Sequence, residues 1–339
     1  MSWPTLDISI LYQLNERGKY NACALIIFCS FCCAPCLGYE PGGKLFDLET
    51  THTIDIKSSH SGRVIPLLVS LPKKKGLLPV VLFSHGLGGS RNGYKYLRTC
   101  WTGRGYATIF LQHPGSDESL LQGVSPSQAV RQLRDAATRK NMELRTDDVT
   151  DVLDAITGWI SDKESPFYGR MDAHNVGLAG HSMGAKTSQL MIGQRRLLST
   201  TKNDKRIRAA VLMSPSCPSL LSAKSVFGSV ITPCLLLTGT RDNLPFFSNQ
   251  SIDSRRTIFP ALPSGNAYEL VLFNATHSAF SDRSLRNDPP PNPKHHRAIE
   301  AITTAFFDAY LQGNEQARIW LRDGGTKEAL EPQDTWQTK

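Results

Sequence analysis

The 339 residues, 40% of them hydrophobic and 20% charged, are enough for one large buried core and too apolar for a disordered chain. The formal net charge of +8 is scattered or in short clusters such as Lys73–Lys75. With no zinc-finger spacing and no basic helix interleaved with aromatics, nucleic acid is not an expected partner.

Five of the eight cysteines (Cys23, Cys29, Cys32, Cys33 and Cys36) crowd into one apolar run near the start. That run has no histidine, and its apolar filling argues against a zinc site. Arg17 and Lys19 precede an apolar stretch over residues 22–37. Small residues, a proline and the polar "GYEPGG" come next, which is the order of a secretory signal. The stretch is shorter than the roughly 20 residues of a membrane span. Residues 1–38 are therefore expected to be a signal peptide or N-terminal anchor. The protein would be exported to the periplasm, cell envelope or medium, with membrane attachment through the segment as the alternative to its cleavage. Cleavage would leave Cys100, Cys217 and Cys234, an odd number that allows at most one internal disulfide, and no particular pairing is predicted.

"THTIDIKS" and "RVIPLLVSLP", joined by the turn-rich "SHSG", read as two strands. Apolar runs then recur in "PVVLFSHG", "ATIFLQHP", "NVGLAGHS", "AAVLMSPS", "PCLLLTGTRD" and "ELVLFNATH". Continuous rather than alternating apolar character marks strands buried on both faces of a parallel sheet. Helical patterns lie between them. Val149, Val152, Leu153, Ile156 and Ile160 share one face, and Asp147 and Asp148 are expected in that helix's first turn, where acidic groups suit the dipole. "HHRAIEAITTAFFDAYLQG" predicts a last long helix ending near Gly313. Residues 45–322 thus predict one doubly wound, mostly parallel α/β domain, followed by a polar, frayed tail at 323–339. Segment 114–145, helical in "SPSQAVRQLRDAATRK", and the proline-rich 281–293 break the alternation and are expected to frame the site. Asp117, in "QHPGSDES" near the expected site mouth, is expected to cap a helix, with substrate binding as the alternative.

"GHSMG", Gly180 to Gly184, fits G-x-S-x-G and stands between a predicted strand and a predicted helix. On so sharp a turn, side chains at 180 and 184 would strike neighbouring backbone. Glycines there let Ser182 stand exposed, with Met183 N–H aimed where an oxyanion would develop. The bland alternative is a glycine-lined strand–helix turn with an incidental serine. A serine hydroxyl needs a base, and in such sites the partners follow in the order serine, acid, histidine. Asp242 and His277 each come just past the carboxyl end of a predicted strand, where open parallel sheets bind ligands. Asp253 and Asp282 are the alternative acids. Of the nine histidines, His181 is too tightly joined to Ser182 to act on it. His85 lies in a motif near the site, His113 and His174 precede or sit in loops, and His295 and His296 are expected to be solvent-exposed. "LFSHGLGGS" lacks the spacing of a nucleotide loop. It is read instead as the source of a second oxyanion donor, Leu87 N–H, with Gly86 and Gly88 permitting close approach.

Together, "SHGLGG", "GHSMG", "GTRD" and "THS" resemble the α/β-hydrolase superfamily over about residues 50–313. Within it the chain is similar to the dienelactone-hydrolase-like branch, with platelet-activating-factor acetylhydrolases, chlorophyllases and cutinase-like polyester hydrolases as relatives. The resemblance implies an exported serine esterase working through an acyl-enzyme. Ser182 would be the nucleophile, His277 the base and Asp242 the acid, with Leu87 and Met183 forming the oxyanion hole. It implies no metal, no organic cofactor, and a small-molecule or lipid ester as substrate. A lipid or polyester hydrolase of narrower scope is the alternative enzyme, and a non-catalytic binding protein the alternative class. Dienelactone hydrolases carry cysteine where this chain has Ser182, so dienelactone is not the expected substrate. Lys186, on the helix after the serine, has no role in this reading.

Overall fold

The described chain opens with an antiparallel hairpin of β1 (Leu48–Lys57) and β2 (Val64–Pro72). Six apolar strands follow: β3 (Leu78–Ser84), β4 (Ala107–Leu111), β5 (Met171–His181), β6 (Ile207–Met213), β7 (Cys234–Arg241) and β8 (Ala267–Thr276). The last strand is β9 (Thr335–Thr338). In the computed structural model these join in one sheet of order β1-β2-β4-β3-β5-β6-β7-β8-β9, parallel from β4 through β8 and antiparallel at both margins. The structure describes residues 38–197, 201–218, 220–243, 251–284 and 288–339, and Tyr39–Lys339 form one unit. The expected signal or anchor, with its five cysteines, lies outside the described residues. Cys100 and Cys234 are free thiols.

The helices are α1 (Lys95–Arg104), α2 (Pro126–Ala136), α3 (Arg139–Ser161), α4 (Met183–Met191), α5 (Ala223–Phe227), α6 (Ile252–Arg256), α7 (Ile258–Ala261), α8 (Pro293–Leu311) and α9 (Glu315–Arg322). They cover both faces of the sheet. Val80 and Leu82 of β3 pack into a core with Val149, Val152 and Ile156 of α3 and Ala185 of α4. Val81 and Phe83, pointing the other way, join Leu97 and Trp101 of α1 with Ile299 and Phe306 of α8. This is the doubly wound, mostly parallel α/β fold that the continuous apolar runs predict. The chain leaves β3 for β4 on one side and returns to β5 on the other. The carboxyl ends of β3 and β5 therefore flank the topological switch point, where such sheets form their ligand crevice.

Three expectations need correction. Helix α3 starts at Arg139, with Thr138 as its cap, so Asp147 and Asp148 lie two turns inside it. Its polar first part carries no apolar stripe, which is why the periodicity points to a later start. Buried Asp148 instead takes Arg63 and His113. Nor does the polar tail fray: Thr335–Thr338 pair with Tyr268–Val271 of β8, and the Trp336 ring stacks on Tyr268 at 5.8 Å. One aromatic in so short a strand is too little pattern to read. Finally, His295 is buried against the Phe273 carbonyl and His296 stacks on Tyr96 at 3.9 Å, because the start of α8 is packed rather than open.

Candidate active site

Ser182 is the single residue between β5 and α4, with φ 56° and ψ −114°. A non-glycine residue held in that region stores strain of order 1–3 kcal/mol and persists only where its surroundings force it. They do so here through close backbone packing. A Cβ on Gly180 would overlap the Gly184 carbonyl, and one on Gly184 would overlap the Ser84 carbonyl at the end of β3. Gly184→Ala is accordingly expected to cost at least about 3 kcal/mol in urea denaturation, because main chain rather than a flexible side chain must give way.

Asp242 and His277 follow directly on β7 and β8, and the two strands are paired neighbours. His277 Nδ1 lies 2.7 Å from Asp242 Oδ1. The other carboxylate oxygen accepts Ser214 Oγ at 2.5 Å and Thr238 Oγ1 at 2.9 Å, and Arg255 Nε stands 3.5 Å away. Burial alone would raise this carboxyl. The charge and hydrogen bond of His277, the Arg255 guanidinium and the Ser214 hydroxyl outweigh it and hold the group below the ordinary carboxylate range. With Nδ1–H directed at Asp242, the imidazole Nε2 is left as the basic nitrogen. The rival acids lie on other elements: Asp282 Oδ2 accepts Lys95 N–H at 2.8 Å, and Asp253 sits in the first turn of α6.

Ser182, His277, Leu87 and Met183 line one cavity of about 960 Å³. Among the described residues Ser182 Oγ makes no hydrogen bond, to His277 or to any other group. Contacts of this kind are often long until a substrate is seated. The loop after β3 comes up against the elbow closely enough that a Cβ on Gly86 would touch Ser182 Cβ at 3.5 Å. Neither Leu87 N–H nor Met183 N–H donates to backbone among the described residues, whereas Gly88 N–H and Gly89 N–H are both taken.

Further residues support the site, and one of them, Arg145, carries no signal in the sequence. Arg145 of α3 is fully buried beneath the loop. It donates to the His85 carbonyl, to Ser84 Oγ at 3.1 Å, to Ser116 Oγ at 2.9 Å and to Thr187 Oγ1 of α4 at 3.1 Å. One guanidinium thus ties the Leu87 loop to the helix that starts at the elbow. His85 bonds the Gly86 carbonyl through Nδ1 and accepts His113 N–H at Nε2, and burial holds it neutral. His181 reaches back to Tyr94 Oη at 2.9 Å, while its ring lies 4.6 Å from that of His277. Asp117 starts the short 3₁₀ turn Glu118–Leu121, yet its side chain makes no cap; it holds Gln112 and Ser119 instead. The 114–145 segment does frame the cavity, through Leu121, Leu133 of α2 and Met142 of α3, and so do residues 281–284.

A doubly wound sheet with a strained strand–serine–helix corner at its switch point is the architecture of hydrolases of the α/β type. The chain belongs to the alpha/beta hydrolase family, whose model matches residues 81–331. A comparison with curated proteins returns no match.

Proposed function

We propose that this hydrolase is a serine enzyme acting on carboxylic esters, of the dienelactone-hydrolase-like branch. The observation that carries the reading is the Asp242–His277 pair opening on the same cavity as the strained Ser182 and the undonated N–H groups of Leu87 and Met183. His277 Nε2 takes the Ser182 proton as Oγ attacks the ester carbonyl. The resulting oxyanion is met by Leu87 N–H and Met183 N–H, which need no reorganisation to receive it. Protonated His277 then gives its proton to the leaving alkoxide, and the acyl group stays on Ser182. Water enters, loses a proton to His277 and attacks the acyl carbonyl. Collapse of this second oxyanion frees the acid and returns the proton to Ser182. Asp242 keeps the imidazole in the required tautomer and steadies its charged form.

The apolar wall of Leu121, Leu133 and Met142 favours an ester with a hydrocarbon part, which keeps lipid and polyester substrates in view. The first test is hydrolysis of short-chain 4-nitrophenyl esters together with labelling by a fluorophosphonate probe. Turnover and a single labelled peptide containing Ser182 are expected. Labelling at another serine, or no turnover of any ester, overturns the proposal and favours a binding protein on the same scaffold. Export by the N-terminal segment is a separate proposal. Amino-terminal sequencing of the native protein is expected to start after about residue 38, or to show the intact segment in the envelope fraction. An intact terminus in the cytosolic fraction would sink it.

A further inference from the structure

Helix α4 carries Lys186 one turn beyond Ser182. Lys186 N–H donates to the Ser182 carbonyl at 3.0 Å, and the two residues share a helix face about 6 Å apart along the axis. Lys186 lines the same cavity as Ser182 and His277. It is drawn partly out of solvent, and its side chain makes no hydrogen bond and no ion pair among the described residues. The other basic groups of the cavity are accounted for. Lys95 and Arg283 are exposed to solvent, and Arg255 is spent on Asp242. The acidic groups of the cavity face other partners: Glu118 accepts Ser90 Oγ at 2.7 Å, and Asp282 accepts Lys95 N–H. Among the described residues, Lys186 is thus the one cavity cation that has lost much of its water without gaining an acid. Burial pushes its ammonium down to about 8, so it is still mostly charged at neutral pH. A partly desolvated charge without a partner is costly, and an incoming anion offsets that cost.

We propose that Lys186 recognises an anionic group on the substrate, so that the preferred esters are acidic. Their carboxylate or equivalent anion meets α4 one turn past Ser182, and their hydrocarbon part lies against Leu121, Leu133 and Met142. This inference rests on the serine-hydrolase reading for its turnover test, and it also has a readout that needs no turnover.

The turnover test compares kcat/KM within two matched pairs, each a carboxylate ester against its neutral carboxamide isostere. The mono-4-nitrophenyl ester of adipic acid and its monoamide place the anion on the acyl side. 3-Butyryloxybenzoate and 3-butyryloxybenzamide place it on the alcohol side. The native enzyme is expected to favour the carboxylate member of one pair. Lys186→Gln is expected to reduce that preference by about 10- to 100-fold, the usual weight of a hydrogen bond to a charged group, and Lys186→Arg to keep most of it. If Lys186→Gln does not fold, Lys186→Met preserves the apolar stem and serves in its place. A carboxylate preference unchanged by loss of the ammonium, or absent from both pairs in the native enzyme, overturns the proposal. If no ester is turned over, the hydrolytic reading has failed, and calorimetric binding of adipic acid monoamide to native protein and to Lys186→Gln then decides. A loss of affinity of about tenfold or more supports the anion site, and equal affinity removes it.

Discussion

Replacing Ser182 by alanine is expected to lower kcat/KM on a short 4-nitrophenyl ester by about 10⁴-fold or more, with a thermal midpoint within about 3 °C of the native protein. Two observations separate these effects. The hydroxyl makes no hydrogen bond among the described residues, so its removal leaves no polar group unpaired. The strained backbone at φ 56° and ψ −114° is imposed by Gly180 and Gly184 packing on their neighbours, and alanine must adopt it as serine does. What survives is the catalysis by the two N–H donors and by binding alone. Ser182→Gly relaxes the corner and is expected to raise stability by about 1 kcal/mol while being equally inactive. Activity assays paired with thermal melts check both results. A Ser182→Ala enzyme that keeps its turnover would move the nucleophile elsewhere.

Asp242→Asn is expected to lower kcat by about 10²- to 10⁴-fold, for a reason of orientation. Ser214 and Thr238 both donate to Oδ2, so an asparagine settles with its carbonyl toward those hydroxyls and its NH₂ toward His277. The ring must then accept at Nδ1 and carry its proton on Nε2, which is the nitrogen that has to receive the serine proton. Stability changes as well. A carboxyl held below its ordinary range stabilises the fold above its unfolded pKa of about 3.9, and that stabilisation fades as pH falls toward the folded value. The asparagine variant, which leaves Arg255 without its counter-charge, is therefore expected to be less stable than native at pH 7 and to approach it in acid. A stability deficit independent of pH would show that packing, and not charge, is what Asp242 supplies.

The part of the molecule legible in the sequence is the part fixed by local rules. Six apolar runs mark buried parallel strands because each run alone implies cover on both faces. Gly180 and Gly184 flag the corner because a Cβ there meets main chain that any such turn must bring close. Asp242 and His277 could be singled out because strand ends in a parallel sheet gather at one rim, and they do meet, at 2.7 Å. What could not be read depends on contacts made across the sequence. Arg145 sits in a polar stretch with no motif, and its partners Ser84, His85, Ser116 and Thr187 are brought together by the fold alone. Ser214, Thr238 and Arg255 around Asp242 are of the same kind. Asp147 and Asp148 mislead because acidic residues before an apolar stripe look like a helix start, while the actual start at Arg139 is set by a single threonine cap.

The pairing of Thr335–Thr338 with Tyr268–Val271 also covers one margin of the sheet. Bare, that margin of the sheet would offer a row of unsatisfied amides and carbonyls as a template for any extended chain that drifted past, including another copy. A protease that trimmed the last few residues would therefore leave the reacting groups untouched and still give molecules that stick together. The loss would be seen first as turbidity and only later as a decline in rate.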